Sequence, residues 1–157
     1  MVIPNKFFQH YSKLIYFLLL GLGLLSITGC SRYVKIYLQA ATDLNNGGNP
    51  VVVRLYQLTT DVNFKNETSE SFWRNEKNSF DRDVVGKPQE IMLHPREVLK
   101  LEKVKVLDDT KYIGVAADFY KPDKDQWHYL IDISMYEGDE LLVVVRKNTL
   151  VITEVKE

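Results

Sequence analysis

Cysteine is nearly missing from this 157-residue chain: Cys30 is the only one. No internal disulfide and no four-thiolate zinc site can form from a single thiol. A basic excess is missing too. Lys and Arg number 20 against 21 Asp and Glu, so the electrostatic footprint of a nucleic-acid binder is absent. Eight Gly and five Pro are too few for a collagen-like or low-complexity chain. Apolar residues make up 45% and charged residues 26%, which is globular composition. The longest charge-free apolar run, Leu14 to Leu25, is twelve residues. As a helix it would span about 18 Å, short of the ~30 Å hydrocarbon core of a bilayer.

That run has a recognisable setting. Lys6, His10 and Lys13 precede it, no acid occurs before Asp43, and Ser26-Ile27-Thr28-Gly29-Cys30 follows. Charged, apolar, then small residues is the order of a secretory signal. Ile27-Thr28-Gly29-Cys30 resembles the lipobox of bacterial lipoproteins. Residues 1–29 then read as a lipoprotein signal peptide, and 30–157 as a periplasmic domain anchored through Cys30. The resemblance implies a diacylglyceryl thioether on that thiol and an acyl chain on the freed α-amine, with no other cofactor. Ser31, where Asp would favour the inner membrane, implies the outer membrane. Residues 1–29 hold two of the 20 basic residues and no acid, so the remaining 128 carry a formal charge of −3.

The mature chain alternates. Val34, Ile36, Leu38 and Ala40 fall on one face of a strand over 33–41, and the β-branched run Val51–Leu58 reads as a second strand. Further strands are expected at 89–93, 98–103, 112–120, 127–133, 141–146 and 149–155. Turns are expected at His94–Glu97, Lys121–Asp125, Glu137–Asp139 and Lys147-Asn148. Phe72, Trp73, Glu76 and Phe80 follow helical spacing, predicting a short helix over 69–79 against the sheet. Large residues such as Phe119, Tyr120, Trp127 and Tyr129 are expected to fill the interior. About eight short strands joined mostly as hairpins predict a mainly β, two-sheet antiparallel β-sandwich with a short added helix.

Chemistry is sparse. His94 and His128 lack a second metal ligand at three or four residues, and both are expected at the surface. No serine sits in a Gly-x-Ser-x-Gly setting. Asp118, Asp123 and Asp125 lack the other oxygen ligands of a calcium loop. One feature exceeds structural need: the connection Thr42, Asp43, Leu44, Asn45, Asn46, Gly47, Gly48, Asn49, Pro50. Nine residues is long for a hairpin, where about two to five are usual, and long loops on rigid sheets often bind.

In order after the lipobox come Val51–Leu58, Phe64, Phe72-Trp73, His94-Pro95-Arg96-Glu97, Tyr112–Tyr120 and Trp127. Together they resemble the TssJ (SciN/VasD) family, outer-membrane lipoproteins of type VI secretion systems. The resemblance implies a transthyretin-like sandwich and no enzymatic activity. It implies a structural component that tethers the secretion membrane complex to the outer membrane by binding the periplasmic domain of the IcmF-like subunit TssM, and it allows several copies in the assembled complex. It also implies that the partner meets the connection between the first two strands, here Thr42 to Pro50. The alternatives are a periplasmic lipoprotein holding a small ligand or lipid in an enclosed cavity, and a periplasmic hydrolase.

Overall fold

A computed structural model describes residues 32–74, 79–136 and 140–155. The segment 1–29 read as a signal peptide, Cys30 and the turn expected at 137–139 lie outside the described residues. Eight strands form two four-stranded sheets: β1 (Tyr33–Ala40), β2 (Val51–Leu58), β3 (Gln89–Leu93), β4 (Val98–Lys105), β5 (Tyr112–Ala117), β6 (His128–Asp132), β7 (Glu140–Arg146) and β8 (Thr149–Val155). One sheet has the order β4-β1-β7-β8 and the other β3-β2-β5-β6. The expected two-sheet, eight-stranded sandwich is what forms.

The inner faces follow the period-two pattern. Val34, Ile36, Leu38 and Ala40 of β1 are buried, as are Val51, Val53 and Leu55 of β2 and Leu141, Val143 and Val145 of β7. Burying a side chain of this kind contributes about 1.5–3 kcal/mol, so these facing rows outweigh any polar contact in the molecule. β1 lies inside its sheet, antiparallel to β4 and parallel to β7. The β1–β7 ladder is the one parallel pairing among the described residues.

Two expected hairpins are something else. β1 and β2 lie in different sheets, and so do β3 and β4. The connections at 41–50 and 94–97 therefore cross from sheet to sheet, and the first owes its length to that crossing. The turns at 118–127 and 147–148 do join paired neighbours, β5–β6 and β7–β8.

A second apolar layer covers the outer face of the β2–β5 sheet. The chain from 59 to 88 carries α2 (Val62–Lys65), α3 (Ser69–Arg74) and a 3-10 turn, Asp81–Asp83. The helix expected over 69–79 is observed as far as Arg74; residues 75–78 are outside the described set. Phe64, Phe72 and Phe80 are buried against Tyr56, with Phe72 stacked on Phe80 at 5.2 Å and edge-on to Trp127 at 5.0 Å. Arg54 ties this layer to the sheet. Its guanidinium lies 4.7 Å from the Trp73 ring centroid, and its Nε donates to Glu90 across the β2–β3 ladder at 2.8 Å. Gly114 makes room beneath: a Cβ there would lie 2.9 Å from Phe64 Cζ. Phe119 and Trp127 are buried as expected, but Tyr120 and Tyr129 are not. β5 ends at Ala117, so the alternation no longer governs Tyr120, and Tyr129, though it shares a face with Val115, lies on the edge strand β6 and is 47% exposed.

Two substitutions test this layer by urea unfolding. Phe64→Ala should destabilise the protein by about 3–5 kcal/mol, as truncation of a buried Phe does. Gly114→Val should cost about 1–3 kcal/mol by overpacking. Unchanged midpoints would mean the layer is not packed on the sheet.

Candidate functional site

Four connections meet at one end of the sandwich: 41–50, 94–97, 118–127 and 147–148. Backbone hydrogen bonds knit them together. Ala40 N–H donates to Glu97 O at 2.9 Å, Ala41 N–H to Val145 O at 2.9 Å, Asn46 N–H to Lys147 O at 3.3 Å and Asp123 N–H to Asn148 O at 3.1 Å.

The connection singled out by its length is an ordered turn. α1 (Leu44–Gly47) has Asn45 at φ 46° and ψ 63° and Asn46 at φ 60° and ψ 50°. Gly47 and Gly48 follow at φ 107° and 95°. This is a left-handed helical turn, closed by Gly48 N–H donating to Leu44 O at 2.7 Å. L-residues lose roughly 1–2 kcal/mol each in that conformation; Gly does not, and Asn tolerates it best among the rest. The run Asn-Asn-Gly-Gly suits it at every step.

Leu44, the one apolar side chain of the connection, is fully buried and plugs the end of the core, so it offers nothing to a partner. Asn45 is buried too and acts as a strut. Its Nδ2 donates to Pro50 O at 2.8 Å, and its Oδ1 accepts from Tyr120 N–H at 2.8 Å. The sequence signal for this was the Asn pair ahead of two glycines. Of the nine positions, Thr42, Asp43, Asn46, Gly47, Asn49 and Pro50 remain exposed.

Beside this turn lies an open groove of about 580 Å³, lined by Asn45, Pro50, Val52, Met92, His94, Asp118 and Tyr120. Met92 is more than half exposed, and Tyr120 stands 84% exposed on the rim. Periodicity did not single these two out. Burial pushes the Asp118 carboxyl above the usual carboxylate range, with Arg54 pulling the other way. The lining has no serine, cysteine or lysine. The enclosed cavity that a ligand carrier needs is not what this groove provides: it opens to solvent, while the space between the sheets is filled by the core.

His94 and His128 do not meet. His94 is exposed in the 94–97 turn. His128, expected at the surface, is half-buried against Trp127 at 4.1 Å and Phe64 at 5.6 Å. Its Nδ1 is buried without a protein partner. Burial depresses its pKa, while Asp125 and the Lys65 backbone act in the opposite sense. Among the described residues no group of three His, Cys, Asp or Glu side chains could hold a metal. Among them, too, no helix is long and apolar enough to cross a membrane.

Fold and site together define a β-sandwich whose connections form a bonded platform at one end. The chain belongs to the type VI secretion lipoprotein family (VasD, EvfM, TssJ), whose model matches residues 32–148. The fold is shared with the type VI secretion lipoprotein TssJ1 from Pseudomonas aeruginosa, at TM-score 0.71 and 22% identity over 81% of this chain and 98% of that one. It is shared with Serratia marcescens Lip, a membrane-bound component of the type VI secretion system, at TM-score 0.67 and 17% identity over 81% and 99%. A chain in the structure described as the type VI protein TssM C-terminal domain (869-1107) from EAEC matches at TM-score 0.66 and 25% identity, over 78% of this chain and 98% of that chain. No curated protein sequence matches.

Asn45→Ala should leave Tyr120 N–H and Pro50 O without their partner and place Ala in the left-handed region. A stability loss of about 1–3 kcal/mol in urea unfolding is expected; less than a few tenths would remove the strut from the account. A second test is acid titration. His128 has a folded pKa below its ordinary 6.5, so the unfolded state binds the proton more tightly. The stability from keeping the ring neutral is complete above that ordinary value and is lost as pH falls below it. Thermal melts from about pH 7 to pH 5 should show a decline that His128→Gln flattens; an identical slope in the variant would exclude His128 as its source.

Proposed function

We propose that the protein is a lipid-anchored structural component of the type VI secretion membrane complex. On this reading residues 1–29 are its signal peptide, and Cys30 carries a diacylglyceryl thioether and an N-acyl chain. The domain then sits on the periplasmic face of the outer membrane. It tethers the complex there by binding the periplasmic domain of the IcmF-like subunit TssM. The family match over residues 32–148 carries this reading.

The match to a chain in the TssM structure supports the choice of partner. An alignment drawing on 78% of these 157 residues covers 98% of that chain, which is therefore much shorter than the 869–1107 segment and of a size with this domain. The layout of the domain suits a tether. Cys30 lies three residues before β1, and the Thr42–Pro50 connection leaves from the far end of the same strand. Eight strand residues span about 26 Å, so the entry to β1 and the docking surface lie at opposite ends of that strand.

The platform is bonded before any partner arrives, which lowers the ordering entropy of binding. Thr42, Asp43, Asn46 and Asn49 provide its polar contacts. Tyr120 and Met92 extend it with residue types common at interface centres. Each buried CH₂ of an acyl chain contributes about 0.8 kcal/mol, so two or three chains hold firmly. Several anchored copies would add avidity.

The test is a pull-down of the TssM periplasmic domain with residues 31–157. Retention at micromolar concentration is expected. Thr42→Arg with Asp43→Arg should weaken it about tenfold or more, near 1.4 kcal/mol, without moving the melting temperature. No retention of the unmodified domain would reject the partner, and full retention of the double variant would reject the connection as its contact. In cells, Cys30→Ser should abolish membrane fractionation and secretion together; normal fractionation would reject the anchor.

A further inference from the structure

At the end of the sandwich opposite the platform, Arg32 ties the segment entering β1 to the fold. Arg32 Nη1 donates to Ile133 O at 2.9 Å and its Nη2 to Tyr136 O at 2.8 Å. Arg32 O accepts from Val106 N–H at 2.9 Å. The entering residue is thus bound to the chain that follows β6 and to the chain that follows β4. Between this clamp and Cys30 stands a single residue, Ser31. Two peptide steps reach about 7 Å when fully extended. The headgroup layer of one leaflet is itself about 5–7 Å deep. An acylated Cys30 at the hydrocarbon boundary therefore leaves the clamp no room to stand clear of the lipid.

We propose that this end of the domain is a lipid-contacting surface, with Tyr33 and Met135 seated among the phospholipid headgroups of the leaflet that holds the anchor. The inference rests on acylation of Cys30 and adds an orientation to it. Tyr33 is 50% exposed, and Met135, in the turn between the two carbonyls that Arg32 holds, is 78% exposed. Tyrosine favours the interface because its ring is apolar and its hydroxyl polar. Exposed Met135 can bury its thioether side chain in the same layer. Lys105 stands opposite Tyr33 in the β1–β4 register, and its long stem can reach phosphate from beside it. Of the carboxylates at this end, Asp132 accepts from Ser134 N–H at 2.8 Å and Ser134 Oγ at 2.7 Å, while Asp108 and Asp109 stand exposed in the turn that follows β4. The contact is consequently aromatic and apolar more than ionic, as expected for a domain of slightly acidic net charge.

The sole native cysteine is the acylation site, so an introduced thiol gives one label per molecule. The full-length lipoprotein, matured in cells, is reconstituted into phosphatidylethanolamine/phosphatidylglycerol vesicles with a fluorophore attached through Met135→Cys or, at the platform, Tyr120→Cys. The expected result is that the label at 135 is quenched by a nitroxide held near the lipid headgroup and shielded from aqueous iodide, while the label at 120 shows the reverse. A flexible Gly/Ser insertion between Ser31 and Arg32 should expose the label at 135 to iodide and leave the protein in the membrane fraction. If mass spectrometry shows the acyl chains and both labels are equally open to iodide, the orientation is wrong and the tether stands. If no acyl chains are found, both fall.

Discussion

The mutual burial of the two inner sheet faces is the constraint on which the molecule rests. Each strand of β1, β2 and β7 gives its alternate apolar residues to that interface, and the connections must deliver successive strands to opposite sides of it. The chain leaving β1 has to turn out of one sheet and into the other within a short distance, while closing the end of the core. It does so with Leu44 as the plug and four consecutive residues at positive φ. The unusual turn and the apolar core are therefore one solution: without the plug the end of the interface would be wet, and without the left-handed residues the plug could not be reached.

Strand positions were legible because period-two alternation is a local property. β2, β3 and β8 fall where alternation and turn residues place them. Sheet membership was not, because Asn, Gly and Pro mark a change of direction without saying whether the next strand pairs with the last or crosses over. The β1–β7 ladder joins residues about a hundred positions apart, beyond any local signal. Tyr120 was misplaced because alternation was carried past Ala117, where the strand stops. His128 was misplaced because its cover comes from α2, whose Phe64 lies far away in sequence. The connection 42–50 was visible as a site by length and composition. That Leu44 and Asn45 serve the fold, leaving their neighbours to face outward, needed the coordinates.

Each end of the sandwich carries exposed apolar side chains. Met92 and Tyr120 lie by the platform, Tyr33 and Met135 by the entering chain. Between these ends the edge strand β4 is dressed with Lys100, Glu102, Lys103 and Lys105, which discourages pairing with other chains. A type VI secretion lipoprotein of this shape is polar along its length in the geometric sense, with distinct surfaces at its two ends and a guarded edge between them.

The position of β1 has a mechanical consequence. The strand that receives the start of the domain also ends at the platform, and it is flanked by a neighbour on both sides. A pull between the two ends loads it along its own axis. Both ladders then resist in shear, many hydrogen bonds at once, instead of peeling one at a time as an edge strand would. A load applied between the two ends would thus act in the direction in which this fold yields last.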